Sequence, residues 1–590
     1  MPLIVFQTRR MRDILKAPAS LGVDLLVLLV AAAIAGALFS FGKQVAAPYQ
    51  QKTEISLSFW ALPKYTAFSL ARGVAAYGLS LIFTLIYGTI AAHNRRAERI
   101  MVPALDVLQS IPVLGFLPGL VLAMIGLFPT REIGLEIACV IMIFTAQAWN
   151  MTFSFFGSLR GIPANLREVC SLNRLGAWHT FRLLELPASM IGLVWNSMMS
   201  MAGGWFFLTV NEAFTLGDKD FRLPGIGSYM AEAINQGNNR AMLAAVIAMV
   251  IMIVAVDQLF WRPVVVWSER FKVEETAEAD KAQSWVLNIL QNSRLYKWLG
   301  SHFDKKRNSL DTPAEIIPKA DRPPIVHVDS NPAWRVVSVI AKRLAALLLF
   351  AATAWGVWTL VRLLASLPIH DPSHQDWVYV LLALLASFAR TTASVLLGAL
   401  WALPAGILIG LSPKWSQRLQ PVVQVVASFP APMVFPLVTI LLVILKIPFT
   451  IGCVSLMLLG AQWYVLFNVI AGAMAIPTEL KEVGKVYHTP WWRKWMRIYI
   501  PGVFPYLITG LITAAGGAWN ATIVSEYVQV KDQTFTAFGL GSLISIATAN
   551  GNFPLLAAGI ATMAVSVVIL NRLIWRRLYR LAERRYSLNV

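Results

Sequence analysis

The chain has 590 residues, of which 57% are hydrophobic and only 14% charged, a balance that excludes a disordered or ordinary soluble protein and points to the membrane. Its formal net charge of +19 would suit a nucleic-acid binder, but the basic residues gather in short clusters between apolar runs, and no nucleic-acid role is expected. The three cysteines, Cys139, Cys170 and Cys453, lack close spacing, which excludes a disulfide framework and a CxxC metal site and leaves them as small apolar packing residues.

A hydrocarbon layer about 30 Å thick is crossed by about 20 apolar residues in a helix. Short alternating segments of a barrel are absent, so the spans are expected to be helical. In chain order the first six lie near 21–41, 66–91, 101–125, 133–156, 188–213 and 239–262. The first follows Arg9, Arg10, Arg12 and Lys16 in the manner of a signal peptide. A counterpart near 344–364 sits mid-chain, so both are read as retained spans. Pro112 and Pro118 break the third. A polar segment, 271–335, follows as a cytoplasmic linker, with a short surface helix expected over Ala282–Leu299. Six more spans lie near 338–366, 378–410, 419–445, 451–473, 502–526 and 553–575. Basic clusters at Arg95–Arg99, in the linker, at Lys481–Arg497 and at Arg572–Arg585 put those places, and both termini, in the cytoplasm.

The two sets of six are copies. Ser69-Leu-Ala-Arg72 returns as Ser387-Phe-Ala-Arg390, Ser110-Ile-Pro112 as Ser428-Phe-Pro430, and Pro118 as Pro436, all displaced by 318 positions. Leu166-Arg-Glu-Val169 returns as Leu480-Lys-Glu-Val483, Glu212 as Glu526, and Gly225-Ile-Gly227 as Gly539-Leu-Gly541, all displaced by 314. So steady an offset means duplication. The expected architecture is an all-α membrane protein of about 12 transmembrane helices. Its first repeat covers 1–270 (core motifs 66–262) and its second 336–590 (core motifs 384–576). An even number of spans per repeat keeps the copies parallel, facing each other across a central path.

Three groups of residues stand out. The connections 157–187 and 472–501 are long and matched, each opening on a proline turn and carrying basic and aromatic residues: Arg174 and Trp178 in one, Trp492 and Arg497 in the other. Exposed aromatics at the cytoplasmic side suit a docking element, expected as short helices over 164–182 and 478–497, each closing on a proline. Arg72 and Glu212, and likewise Arg390 and Glu526, are ionisable groups in outer parts of spans and candidate ion pairs, acting as clasps or gate elements or drawing in an anion. Gln147, Asn150, Asn196, Gln462, Asn468 and Asn520 are amides within spans, which either line a polar path or bond helix to helix. Trp205 and Trp519 follow small residues and are read as packing groups.

Glu168 to Pro187 and Glu482 to Pro501 are both nineteen steps, a spacing that resembles the EAA motif of binding-protein-dependent ABC importer permeases. The Ser-Leu-x-Arg opening, the Ser-Ile-Pro break and the late Glu with Gly-x-Gly resemble the nitrate/sulfonate/bicarbonate branch of that family, in its duplicated form. The motif departs from pattern where its glycine falls: Arg174 in one half and His488 in the other, so the two docking elements are expected to be less alike than their spacing. The resemblance implies a type I importer permease in a bacterial-type cytoplasmic (inner) membrane. Glu168, Arg174, Trp178 and Pro187, and Glu482, His488, Trp492 and Pro501, would then couple to two separate ABC ATPase subunits. An extracytoplasmic solute-binding protein would deliver a small solute, an anion in this branch. No Gly-x-x-x-x-Gly-Lys-Ser/Thr loop is present, so ATP and Mg would be bound by the partner subunits, with no cofactor and no catalytic residue in this chain. The rival reading is a major-facilitator-like secondary transporter, against which the loop His93–Arg99 lacks the usual motif and the long paired loops fall between the wrong helices.

Overall fold

The computed structural model describes residues 54–271, 354–369 and 376–586, with short breaks at 111, 130–131, 217–218 and 531–532 and isolated positions at 36, 344, 347 and 351. The expected span 21–41, the linker with its surface helix 282–299, and much of 338–366 lie outside the described residues. The chain divides into two compact units, one of Met1–Gly42, Ser154–Asn196 and Ala255–Val361, the other of Lys43–Phe153, Ser197–Val254 and Arg362–Val590.

Among the described residues seven helices are long and apolar enough to cross a membrane, or eight if one bent pair is a single span. Helix Leu186–Asn211 has the length, but Ser189, Asn196, Ser197 and Ser200 dilute its apolar character. The expected third spans are broken in both repeats. Arg95–Ser110 is followed by a tight turn at Val113–Phe116 and then Leu117–Leu127. In the second repeat Ala431–Ile444 is bent by 79° from the helix that ends at Ser428. Proline explains the break, since it lacks a donor and restricts the residue before it.

In the larger unit the spans carry small and polar residues inward and large apolar ones outward, as packing in lipid favours. Along Leu62–His93 the buried stripe is Ser69, Arg72, Ala76, Ser80, Thr84 and Gly88, while Ile82, Ile86 and Ile90 are exposed. In Trp377–Leu411 a Cβ on Gly406 would come within 2.6 Å of Val469, and one on Gly410 within 2.6 Å of the Ile470 carbonyl. Those glycines let this helix lie against Phe449–Met474, and Val465, Val469, Ala473 and Val503 complete a fully buried core.

Two features were not expected from the sequence. A two-stranded antiparallel hairpin follows the fifth span of each repeat, Ala213–Leu216 with Lys219–Arg222 and Tyr527–Val530 with Gln533–Thr536. Short helices Ile226–Asn235 and Leu540–Ala549 follow them. Single π-helical turns also recur at the repeat displacement, Phe181–Glu185 with Trp495–Tyr499 and Asp257–Trp261 with Asn571–Trp575.

In the smaller unit, the end of Ile133–Arg160 packs on the start of Leu186–Asn211. A Cβ on Gly192 would meet the Ser158 hydroxyl at 2.9 Å, and the Asn196 amide donates to Ser154 Oγ at 2.9 Å.

Candidate functional site

The ionisable residues meet. Arg72 is completely buried; its Nη1 donates to Glu212 at 2.7 Å and to the Pro224 carbonyl at 2.9 Å. Its Nε and Nη2 donate to both oxygens of Glu136, at 2.6 and 2.7 Å, in the fork geometry that makes arginine–carboxylate bonds strong. Glu212 also accepts from Ser69 Oγ at 2.6 Å and from the Gly227 amide at 2.7 Å. Ser69 in turn accepts from the Ile226 amide at 2.9 Å. The glycines of Gly225-Ile-Gly227 are required by proximity: a Cβ on Gly225 would fall 2.3 Å from the Glu212 carboxylate, and one on Gly227 2.4 Å from the Thr209 carbonyl.

The second repeat rebuilds this with one change among the bonding side chains. Arg390 Nη1 donates to Glu526 at 2.9 Å and to the Phe538 carbonyl at 2.7 Å. Ser387 donates to Glu526 at 2.7 Å and accepts from the Leu540 amide at 2.7 Å, while the Gly541 amide donates to Glu526 at 2.8 Å. Where the first half has Glu136, the second has Thr450, displaced by 314, and Arg390 Nε donates only to its backbone carbonyl at 3.0 Å. The Arg390 side chain keeps 13% of its surface exposed. Glu136 was missed by sequence reasoning because the comparison of repeats highlights shared residues and this one is not shared. Its signal was a lone carboxylate near the start of an apolar span.

The amides mostly join helices. Asn196 bonds Ser154 as above; Gln147 accepts from Ser80 Oγ at 3.3 Å; Gln462 accepts from Trp401 Nε1 at 3.0 Å; Asn468 donates to the Tyr464 carbonyl at 2.8 Å within its own helix. Asn150 is half-buried. Trp205 packs edge-on where Gly73 leaves room, a Cβ there lying 2.7 Å from the indole, and Trp519 is buried as well. Asn520 differs from the rest. Its Oδ1 accepts from the backbone N–H of Val113 at 2.7 Å, so a side chain of the second repeat meets a donor at the proline break of the first.

Asn520 also lines an open-sided cavity formed by both repeats within the larger unit. Helix Leu186–Asn211 contributes Phe206 and Phe207, helix Phe449–Met474 contributes Trp463, Tyr464 and Phe467, and the bend after Ser428 contributes Phe429. Gly203 and Gly517, equivalent in the two repeats, flank Tyr464 from opposite halves: added Cβ atoms would lie 3.1 Å from its hydroxyl and its ring, respectively.

The matched connections form helices Ala164–Leu172 and Thr478–Val486, then one-turn helices Ala177–Thr180 and Trp491–Lys494. Arg174 and His488 stand in the left-handed region, φ 51° and 45°. Both therefore adopt a glycine-like conformation despite their side chains, and the two turns are alike in backbone although the motif glycine is missing from each. Around Arg174 the Leu175 amide closes the helix end by donating to the Cys170 carbonyl at 3.0 Å. Pro187 and Pro501 do not end these elements, contrary to expectation. Each follows a π turn within a helix that runs on into the fifth span, where the shifted hydrogen-bond register absorbs the missing donor. Glu168, Trp178, Glu482 and Trp492 are exposed, as are Tyr487 and Trp491.

The comparisons agree with this arrangement. The family model for "Binding-protein-dependent transport system inner membrane component" matches residues 84–260 and 402–588, more than half of the chain and once per repeat. A bicarbonate transport system permease protein of Synechocystis is 29% identical over 144 residues, 24% of this chain and 50% of that protein. A nitrate import permease protein of Leptolyngbya laminosa is 27% identical over 141 residues, 24% and 49%. A putative aliphatic sulfonates transport permease protein of Bacillus subtilis is 28% identical over 180 residues, 30% and 61%. The chain spans about half to three fifths of the length of these relatives. With the family model present in both repeats, the chain belongs to the binding-protein-dependent inner-membrane transport components, the permease subunits of ABC transporters, and is a multi-pass membrane protein rather than an enzyme.

Proposed function

We propose that this chain forms the translocation path of an ATP-driven importer for a small anion, both halves of the gate being supplied by one polypeptide. The observation that carries the reading is the pair of exposed, aromatic connections with the same left-handed turn at the same repeat position. Each is a docking surface for one separate ATPase subunit, which binds ATP and Mg; a solute-binding protein serves the outer face, and both termini are cytoplasmic. The printed names of the relatives, bicarbonate, nitrate and aliphatic sulfonates, favour an anion as cargo. The Arg72 and Arg390 clusters are clasps that fix the hairpin and short helix after the fifth span, since their guanidinium groups are already engaged by carboxylates and carbonyls.

The test is uptake by vesicles holding this chain with its ATPases and binding protein. ATP-dependent accumulation of an anion is expected, and replacing Glu168 and Glu482 together should abolish it or release the ATPases. Normal uptake by that double variant would remove the coupling assignment, and uptake of a cation with anions ignored would remove the anion.

A further inference from the structure

The cavity between the repeats has a wall that does not suit a bare inorganic ion. Among the described residues that line it none carries a charge, and its largest surfaces are Phe206, Phe207, Phe429, Trp463 and Phe467. An anion drawn into such a place loses its water, and aromatic faces, electron-rich at their centres, give nothing back. Nitrate or bicarbonate has no apolar surface with which to offset that loss.

The polar groups at the cavity are few. Asn520 commits its oxygen to the Val113 amide at 2.7 Å and one N–H to the Gly516 carbonyl at 3.1 Å, which leaves one N–H. Tyr464 adds a hydroxyl, held in place by ring contact with Gly517 and by Gly203 beside the oxygen. An aromatic cleft with two neutral donors has the make-up of sites that hold organic molecules by their apolar bodies and orient them by one polar end.

We propose that this cavity is a specificity site for an organic anion with an apolar body, the body lying against Phe206, Phe429 and Trp463 and the anionic head accepting hydrogen bonds from Tyr464 Oη and Asn520 Nδ2. The proposal rests on the permease reading and narrows its cargo: solutes without an apolar part are not retained here. Tyr464 is the discriminating donor, because Asn520 is also needed at the Val113 break. Head and body are thus sorted by different residues.

The test uses the permease with its ATPases in lipid nanodiscs, without binding protein, and saturation-transfer NMR on benzenesulfonate. Ring-proton saturation is expected, unaffected by nitrate or bicarbonate and competed by longer alkyl sulfonates. Tyr464→Phe keeps the ring and should weaken binding about three- to tenfold, the loss of one hydrogen bond. Ala427→Trp should fill the cavity and abolish the signal. Displacement by nitrate, or a signal unchanged in both variants or equal in protein-free nanodiscs, would overturn the site. ATP-driven uptake in the same preparation after adding binding protein is scored separately. Absence of uptake with benzenesulfonate binding intact would count against the permease reading alone, and uptake without binding against the cavity alone.

Discussion

The Arg72 guanidinium faces two carboxylates, Glu136 and Glu212, whereas that of Arg390 faces Glu526 and the carbonyl oxygens of Thr450 and Phe538. Removing one acid therefore has unequal consequences. After Glu212→Gln, Arg72 still has Glu136, and the loss is that of hydrogen bonds left short of a partner, about 1–3 kcal/mol. After Glu526→Gln, Arg390 has no carboxylate among the described residues, and an uncompensated charge in a mostly buried place costs about 3–5 kcal/mol. Thermal unfolding of the purified protein should show Glu526→Gln lowering the midpoint clearly more than Glu212→Gln; equal shifts would mean that Glu136 does not share the charge. Four of the five acids and bases of the clasps were legible in the sequence, because both repeats carry them at equivalent positions and a charge in a span needs a partner; Glu136, unshared, was not. The glycines Gly225 and Gly539 were visible as motif letters only. Their reason, that an added Cβ would fall 2.3 Å from a carboxylate in each half, exists only in three dimensions.

At the scale of elements, the two segments proposed to dock share a backbone conformation that usually falls to glycine. A left-handed conformation costs roughly 1–2 kcal/mol for a residue with a Cβ, yet Arg174 and His488 both adopt it. Glycine there should relieve the strain, offset by its own greater freedom in the unfolded chain, about 0.4–1 kcal/mol. Arg174→Gly and His488→Gly are thus expected to leave coupled ATP hydrolysis within about twofold of the parent. Arg174→Val, β-branched and poorly suited to positive φ, should reduce it severalfold. Binding-protein-stimulated ATPase rates decide the matter; if glycine and valine are equally harmful, the arginine side chain rather than the turn is what matters. The spans themselves were readable from apolar length, and boundaries such as 378–410 against Trp377–Leu411 differ by a residue. The hairpins after the fifth spans were not readable. Four-residue strands such as Ala213–Leu216 are too short for an alternation to register, and their pairing is set by the clasp beneath them, where Leu223 N donates to the Glu212 carbonyl at 2.9 Å.

Seen as a whole molecule, the fused repeats have been free to diverge where two identical subunits could not. Asn520 meets the break of the other half, while its repeat counterpart is Phe206, packed against the apolar cluster of Ala431, Phe435, Leu456, Val528 and Val530. The surfaces proposed to dock diverge in part: Trp178 and Trp492 are repeat equivalents and both exposed, whereas exposed Tyr487 and Trp491 stand where the first half has Asn173 and Ala177. Large exposed aromatics at an interface tend to be its anchors, each worth about 2 kcal/mol or more when truncated, or about thirtyfold in affinity. In a pair of identical permeases any substitution strikes both ATPase sites, but here each surface belongs to one half only. Trp491→Ala with Trp492→Ala should therefore release one ATPase and retain the other, so that native mass spectrometry finds one permease with a single ATPase subunit. Trp178→Ala should yield the complementary species. A double tryptophan variant that keeps both ATPases would show that these indoles are not the anchors. Loss of both would show that the second ATPase is held by the first rather than by its own surface on this chain.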